Sequence, residues 1–407
     1  MAEFNKVAVF TKEYPPYVYG GAGVHVEYLC RELSRLVSVE VRCFGDQNIH
    51  EGNLTVRGYP EWAEAGQGTN ARFAGAVDAF ARNLAMAKDN LDADIVHCHT
   101  WYADMGGLLA GKLWGVPYVL TIHSLEPLRP WKVEQLGNAY HLSAWMERTA
   151  IEQADAVIAV SSETRDDVLR LFDVQPERVH VIYNGIDPNE YRKTDKTEAL
   201  VRYGVDPEKP YVLFVGRITR QKGIIHLVNA IPHIDPSLQV VLCAGAPDTP
   251  EIGREMADRV QAVRAGREGV VWVQEMLTRP DVIQMYSHAA VFCCPSVYEP
   301  FGIINLEAMA CETAVVASAA GGIKEVVVPG KTGLLVDPHL REGTFEPEDP
   351  AQFAGDLARA INTVALDEVV RARYGQAGRK RVEEHFSWAA IAEQTAALYR
   401  SLVAVSG

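Results

Sequence analysis

The chain has 407 residues, 48% of them hydrophobic and 23% charged, with a formal net charge of −14 at pH 7. That is the composition of a soluble globular protein of two or three domains. The acidic surplus weighs against nucleic acid or anionic membrane as the main partner, because the summed field repels polyanions; a small anionic ligand then needs a local cluster of cations and backbone N–H groups.

The N-terminus, MAEFNKVAVFTKEYPP, has one short apolar run, broken by Lys6, Lys12 and Glu13, and does not have the form of a signal peptide. No run of about 18 apolar residues follows, so no membrane span is expected. Seven cysteines without a C-x-x-C pair fit reduced core residues of a cytoplasmic protein.

In chain order, KVAVFT, VEVRCF, ADIVHCH, PYVLTIHS, DAVIAVS and RVHVIY predict strands, with amphipathic segments such as HVEYLCRELSRL between them. The polar stretch 185–210 follows, with the composition of a linker holding a small helix. PYVLFVG, LQVVLCA, GVVWVQE, AAVFCCPS, TAVVAS and TGLLVD then repeat the scheme, and the end, from Phe386-Ser387, has helical spacing. The expected fold class is α/β, with two doubly wound Rossmann-like domains over residues 1–190 and 191–385, and a terminal helix over 386–407 packing back toward the first domain. Ligands of such sheets bind outside the carboxyl ends of the strands, here in a cleft between facing domains.

Four strand ends carry candidate chemistry. After the first strand, Gly20, Gly21 and Gly23 precede a helix, where backbone N–H groups can approach a phosphate or a sugar; a plain glycine turn is the alternative. Reading G-x-G from Gly21, the third glycine position of a dinucleotide fingerprint is Val26, which removes the main support for a hydride-transfer enzyme. After PYVLFVG, Arg217 and Lys222 lie on a loop bounded by Gly216 and Gly223, and two cations at a helix N-terminus oppose its dipole unless an anion lies between them. His97, His99 and His123 end two neighbouring strands, but a further ligand at metal-binding spacing is missing, and Asp92-Ala93-Asp94 precedes its strand; no metal is expected. After AVFCCPS, Glu299 precedes a predicted helix, Glu307 lies about a turn and a half inside it, and Gly302 shapes the turn between them. Gly321-Gly322 follow the next strand. Glycine loops, a cation pair and paired glutamates fit a nucleotide carrying a diphosphate and a hydroxylated group.

These motifs, EYPPYVYGGAGVH, HCHTWYA, TIHS, YNGID, GRITRQKG, the E-x7-E from Glu299 to Glu307 and AGGIKEVV, span nearly the whole chain. In this order they resemble a retaining GT-B glycosyltransferase of the glycogen synthase and family-four group. SLEPLRPWKVEQLG and LCAGAPDTPEI are similar to its short bacterial, ADP-glucose-using members, the glycogen synthase or maltose-1-phosphate synthase type.

The resemblance implies that Arg217 and Lys222 bind the donor diphosphate with Gly302 and Ile303 N–H groups, that Glu299 engages sugar hydroxyls and that Glu307 holds the ribose. His123 would face the donor sugar, with Asn184 close to the sugar and phosphates. Two departures bear on the acceptor: the loop lysine of the longer synthases' K-x-G-G-L is missing at Val18-Tyr19-Gly20-Gly21-Ala22, and the aspartate of their H-x-H-D-W is Thr100.

The implied reaction moves glucose from ADP-glucose, with retention, to an α-glucan or to glucose 1-phosphate, forming an α-1,4 bond without a metal or other cofactor. Arg129 and Lys132 are candidates for an acceptor phosphate, with a solvated basic loop as the alternative reading. The nucleobase, expected near Gln274-Glu275-Met276, rests on the resemblance, so UDP- or GDP-sugar donors stay open, and a homodimer is one candidate assembly. A glycoside hydrolase using Glu299 and Glu307 leaves the Arg217/Lys222 pair without a role. A sugar-binding protein is disfavoured by the N-terminus.

Overall fold

A computed structural model describes residues 4–62, 70, 73–133 and 137–406. The chain divides into two compact units, residues 1–185 with 388–407, and residues 186–387.

The first unit is built on strands β1 (Lys6–Thr11), β2 (Ser38–Phe44), β3 (Asn48–Glu51), β4 (Leu54–Tyr59), β5 (Ile95–His99), β6 (Tyr118–Ile122), β7 (Ala156–Ala159) and β8 (Val179–Val181). They form one sheet in the order β3-β4-β2-β1-β5-β6-β7-β8, parallel except for the β3–β4 hairpin. Along β1, Val7 and Val9 enter one apolar cluster while Ala8 and Phe10 enter another, and β6 divides Val119 from Leu120 in the same way. Both faces are covered, which is why these strands are continuous apolar runs without polar alternation. On one face, helix Trp388–Ser406 packs against helix Gly21–Leu33, with Trp388 stacked 5.8 Å from Tyr28. Gly185 lies against the Trp388 indole, where a Cβ would come within 2.7 Å of the ring. Asp94 accepts the backbone N–H groups of Asn5 and Lys6 at 2.8 and 2.9 Å, so the D-x-D segment joins the starts of β1 and β5.

The second unit carries β9 (Tyr211–Arg217), β10 (Gln239–Gly245), β11 (Val270–Val273), β12 (Val291–Cys294), β13 (Val315–Ser318) and β14 (Gly333–Val336). Their order is β11-β10-β9-β12-β13-β14, all parallel. The chain steps outward from β9 to β10 and β11 and then crosses to β12 on the other side, which leaves a topological switch point at the carboxyl ends of β9 and β12. The first sheet reverses in the same manner between β1 and β5.

All twelve strands expected from the sequence form; the β3–β4 hairpin was not anticipated. Its first strand, NIHE, is mostly exposed and lacks the apolar run of the others. The linker's small helix is Glu198–Arg202. Among the described residues no helix is long and apolar enough to cross a membrane, and all seven cysteines are buried thiols.

Candidate functional site

At the switch point of the second unit, β9 ends on Arg217, and the loop after it carries Lys222 and turns at Gly223 into the short helix Ile224–Ala230. The loop after β12 carries Glu299 and turns at Gly302 into helix Ile303–Ala310. Val297 N–H donates to Gln221 O at 3.0 Å, which ties the two loops together. Lys222 Nζ then donates to Glu299 Oε2 at 2.6 Å, with the two side chains 20% and 9% exposed. Arg217 Nη1 donates to Asp248 Oδ1 at 3.0 Å.

Two cations near a helix N-terminus were expected to need an external anion between them. The structure corrects that premise: each cation has a carboxylate of the chain itself within ion-pair distance.

Two glycines set the loop geometry. Gly302 has φ +95° and caps the helix, where a Cβ would lie 2.6 Å from Asn305 Nδ2. No side chain caps this terminus; the Asn305 N–H donates to Gly302 O at 3.0 Å, and the first-turn N–H groups before it have no side-chain acceptor. Gly321, at φ +55°, packs so closely that a Cβ would stand 1.9 Å from the Glu299 carbonyl oxygen, and Gly322 N–H donates to that oxygen at 2.9 Å. Gly321 and Gly322 therefore fix the backbone of Glu299. Glu307 accepts the Tyr286 hydroxyl at 2.9 Å, and burial raises its carboxyl above the usual range against that hydrogen bond. Gly216 lies within β9, and Gln274 follows β11 with Met276 exposed beyond it.

At the switch point of the first unit, Gly20 stands at the N-cap of helix Gly21–Leu33, and Glu13 Oε2 accepts the N–H groups of Tyr19 and Gly20 at 2.8 and 2.9 Å. Gly23 gives room to that carboxylate, since a Cβ there would meet Glu13 Oε2 at 2.7 Å.

His25, His99 and His123 meet here, with one ring nitrogen of each within 4.8 Å of the others. His99 Nδ1 lies 3.0 Å from His123 Nε2, and His25 Nδ1 lies 2.5 Å from Asn184 Oδ1. His97 is not part of this group, because its ring bonds the Tyr399 and Thr121 hydroxyls at 2.5 and 2.7 Å. Burial pushes His25 down to about 4 and holds His99 and His123 well below the usual imidazole value, so the group is neutral at pH 7. Thr100, between His99 and the following helix, has φ +68°, a strained conformation for a β-branched residue.

Arg129 is 15% exposed at its side chain, with Nη1 3.1 Å from Ser124 Oγ and 3.6 Å from Glu126 Oε1. It is thus a held residue and not a solvated one; Lys132 follows in the same segment. Sequence reasoning missed His25, Asp248 and Tyr286. His25 alone left a local signal, one turn after the glycine loop.

Two doubly wound parallel sheets with ligand-type loops at their carboxyl ends form the architecture shared by GT-B glycosyltransferases. Residues 19–190 match the family described as Glycosyltransferase Family 4, residues 195–381 match Glycosyl transferases group 1, and the chain belongs to this family.

Alpha-maltose-1-phosphate synthase of Mycolicibacterium smegmatis is 50% identical over 98% of this chain and 100% of its own, and the Mycobacterium tuberculosis protein of that name is 48% identical over the same shares. Among solved structures, a sucrose-phosphate synthase from Thermosynechococcus elongatus superposes with a TM-score of 0.77 at 26% identity, covering 98% of this chain and 100% of that one. The catalytic domain of Arabidopsis thaliana starch synthase IV bound to ADP and acarbose gives a TM-score of 0.73 at 19% identity, covering 99% and 100%. This second likeness is one of fold.

Proposed function

We propose that this glycosyltransferase moves the glucosyl group of ADP-glucose, with retention, to the 4-hydroxyl of glucose 1-phosphate, giving ADP and maltose 1-phosphate. The observation that carries the reading is the 50% identity, over the full length of both chains, to a protein named alpha-maltose-1-phosphate synthase.

In this reading Arg217 and Lys222 take the donor diphosphate, together with the N–H groups of Gly302 and Ile303 at the uncapped helix terminus. Glu299, released from Lys222, grips sugar hydroxyls, and Glu307 holds the ribose beside Tyr286. His123 faces the donor sugar as a neutral imidazole, and Asn184 orients its neighbour His25. The glycosidic C1–O bond to the diphosphate breaks as the bond from C1 to the acceptor oxygen forms. The acceptor's proton passes to an oxygen of the departing phosphate, so no protein base is required. Arg129 and Lys132 supply cations for the acceptor phosphate. A hydrolase mechanism is disfavoured because it gives no role to Arg217 and Lys222, and Lys222 Nζ already occupies Glu299 Oε2 at 2.6 Å.

The test screens ADP-, UDP- and GDP-glucose against glucose 1-phosphate and glycogen and identifies the products. Maltose 1-phosphate from ADP-glucose is the expected result. Exclusive elongation of glycogen would overturn the acceptor, activity with UDP- or GDP-glucose alone would overturn the nucleobase, and release of glucose from oligosaccharides without nucleotide would restore the hydrolase.

A further inference from the structure

Lys12 follows directly on β1, at the carboxyl end of the strand beside which the first sheet reverses. Its carbonyl accepts Phe44 N–H at 3.3 Å, and its side chain is partly buried, with Nζ 3.8 Å from the centroid of the Tyr102 ring. Among the described residues no carboxylate lies within 4.0 Å of that ammonium, although the chain as a whole is strongly acidic.

The two acids nearest in charge are both engaged elsewhere. Glu13 is turned to the N–H groups of Tyr19 and Gly20, and Asp78 is 2.9 Å from Arg82. Burial lowers the Lys12 pKa, as expected for a cation that has lost water without gaining a counterion. A second cation acts on the same phenol: the charges of Arg129 and Glu126 both reach the Tyr102 hydroxyl, and Arg129 Nε is buried with no hydrogen-bond partner.

A cation over an aromatic face is held only by the ring quadrupole, which is weak beside a charge-assisted hydrogen bond. The place therefore favours an anion small enough to reach Nζ from solvent and carrying several acceptor oxygens. We propose that Lys12 is an acceptor-binding residue whose ammonium, together with Arg129, receives the phosphate of the phosphorylated sugar acceptor beside Tyr102. This rests on the reading of glucose 1-phosphate as acceptor and goes beyond it, since neither the motifs nor the relatives point to Lys12. It also gives the chain a route to a phosphate without the K-x-G-G-L lysine it lacks. An unphosphorylated glucan makes no use of this ammonium, so Lys12 discriminates between the two acceptor classes.

The test compares wild type, Lys12→Met and Lys12→Arg with saturating ADP-glucose, using glucose 1-phosphate or maltotriose as acceptor. Inorganic phosphate serves as an independent probe in calorimetry. Lys12→Met is expected to lower kcat/KM for glucose 1-phosphate by about 10- to 100-fold, the size of one charge-assisted hydrogen bond. The loss should fall in the acceptor KM, Lys12→Arg should recover most of it, and maltotriose should be affected less than threefold. Inorganic phosphate should bind wild type and lose affinity for Lys12→Met. Thermal melting of the variants checks folding, and because no ion pair is removed, their midpoints should match wild type. Unchanged kcat/KM for glucose 1-phosphate, or an equal loss with both acceptors, overturns the assignment. If wild type ignores glucose 1-phosphate, the acceptor reading fails on its own; phosphate binding that depends on Lys12 then still supports the anion site, and binding that does not overturns it.

Discussion

Replacing Lys222 by alanine separates two consequences of one 2.6 Å contact. Lys222 and Glu299 are both largely withdrawn from water, and besides the lysine the carboxylate has Ser296 Oγ at 3.3 Å. Removing one partner of a fully buried pair costs about 3–5 kcal/mol, because the remaining charge is stranded. Lys222 is a fifth exposed, so water reaches the vacated site and the expected cost is about 2–3 kcal/mol. Set against the 5–15 kcal/mol of a typical domain, the variant stays folded at 25 °C. Lys222→Ala/Glu299→Gln should recover most of that loss, since no charge is left behind.

Turnover should behave differently. If Lys222 stabilises the charge of the departing diphosphate, alanine removes one preorganised partner of the transition state, worth about 100- to 1,000-fold in kcat. The double variant should not regain it. The measurements are urea unfolding of the four members of the cycle and initial rates at saturating ADP-glucose. Wild-type kcat in Lys222→Ala would refute the clamp. A kcat that tracks stability through the cycle, recovering in the double variant, would reduce Lys222 to a structural counterion of Glu299.

Gly321→Ala is expected to destabilise by about 2–4 kcal/mol, combining a left-handed φ with a Cβ 1.9 Å from the Glu299 carbonyl oxygen. Gly330→Ala, also left-handed at φ +74° but with open space around it, should cost only about 1 kcal/mol in the same unfolding assay. His25, at about 4, and His97, at about 3, both lie below the usual 6.5, so the unfolded chain binds more protons and stability should fall as pH drops from about 6.5 toward 4. Each ring contributes up to about 1.4 kcal/mol per pH unit to that acid limb, and His97→Gln should flatten it in urea midpoints read against pH. Asp104 has the opposite sign: burial pushes its carboxyl up to about 8, the folded state holds the extra proton, and the contribution of this group to stability falls as pH rises from about 4 to 8, opposing the histidine contributions where the windows overlap. Asp104→Asn should gain on wild type across that window and hold a constant advantage above it; a pH-independent difference in midpoint would refute the assignment.

The twelve strands were legible because parallel sheets covered on both faces demand continuous apolar runs, as in IVHCH and VFCC, which are buried at every position. The β3–β4 hairpin had a local signal in its Gly52-Asn53 turn, but its exposed first strand lacks that pattern. Most candidate site residues could be picked out because they sit at or just beyond a strand's carboxyl end, where loop length and glycine content stand out, and Glu307 by its spacing from Glu299 on the following helix. What occupies them in the free protein could not be read. Lys222 and Glu299 are 77 positions apart, and His25 and Asn184 are 159 apart. Such pairings are set by sheet order and not by local spacing. Lys12 was visible only as a charge breaking the N-terminal apolar run. Its meaning depends on Glu13 and Asp78 being engaged elsewhere.

Lys12 differs from the cations of the second unit's loops in one respect that bears on binding. Arg217 and Lys222 each hold a carboxylate at 3.0 and 2.6 Å, which lets an acidic chain fold around a diphosphate-type site before the ligand arrives. In the proposed donor reading, a diphosphate reaching them would exchange one anion for another, so its net gain would be smaller than the number of contacts suggests, and the freed Glu299 would become an acceptor for sugar hydroxyls. On that reading, specificity for a nucleotide sugar over a bare diphosphate would follow, because only the former supplies hydroxyl partners for the displaced carboxylate. Among the described residues Lys12 has no carboxylate to exchange, and an anion there gains the whole interaction less the weaker contact with Tyr102. A simple phosphate should therefore discriminate between the two places, competing with the acceptor at Lys12 well before it competes with the donor at Lys222.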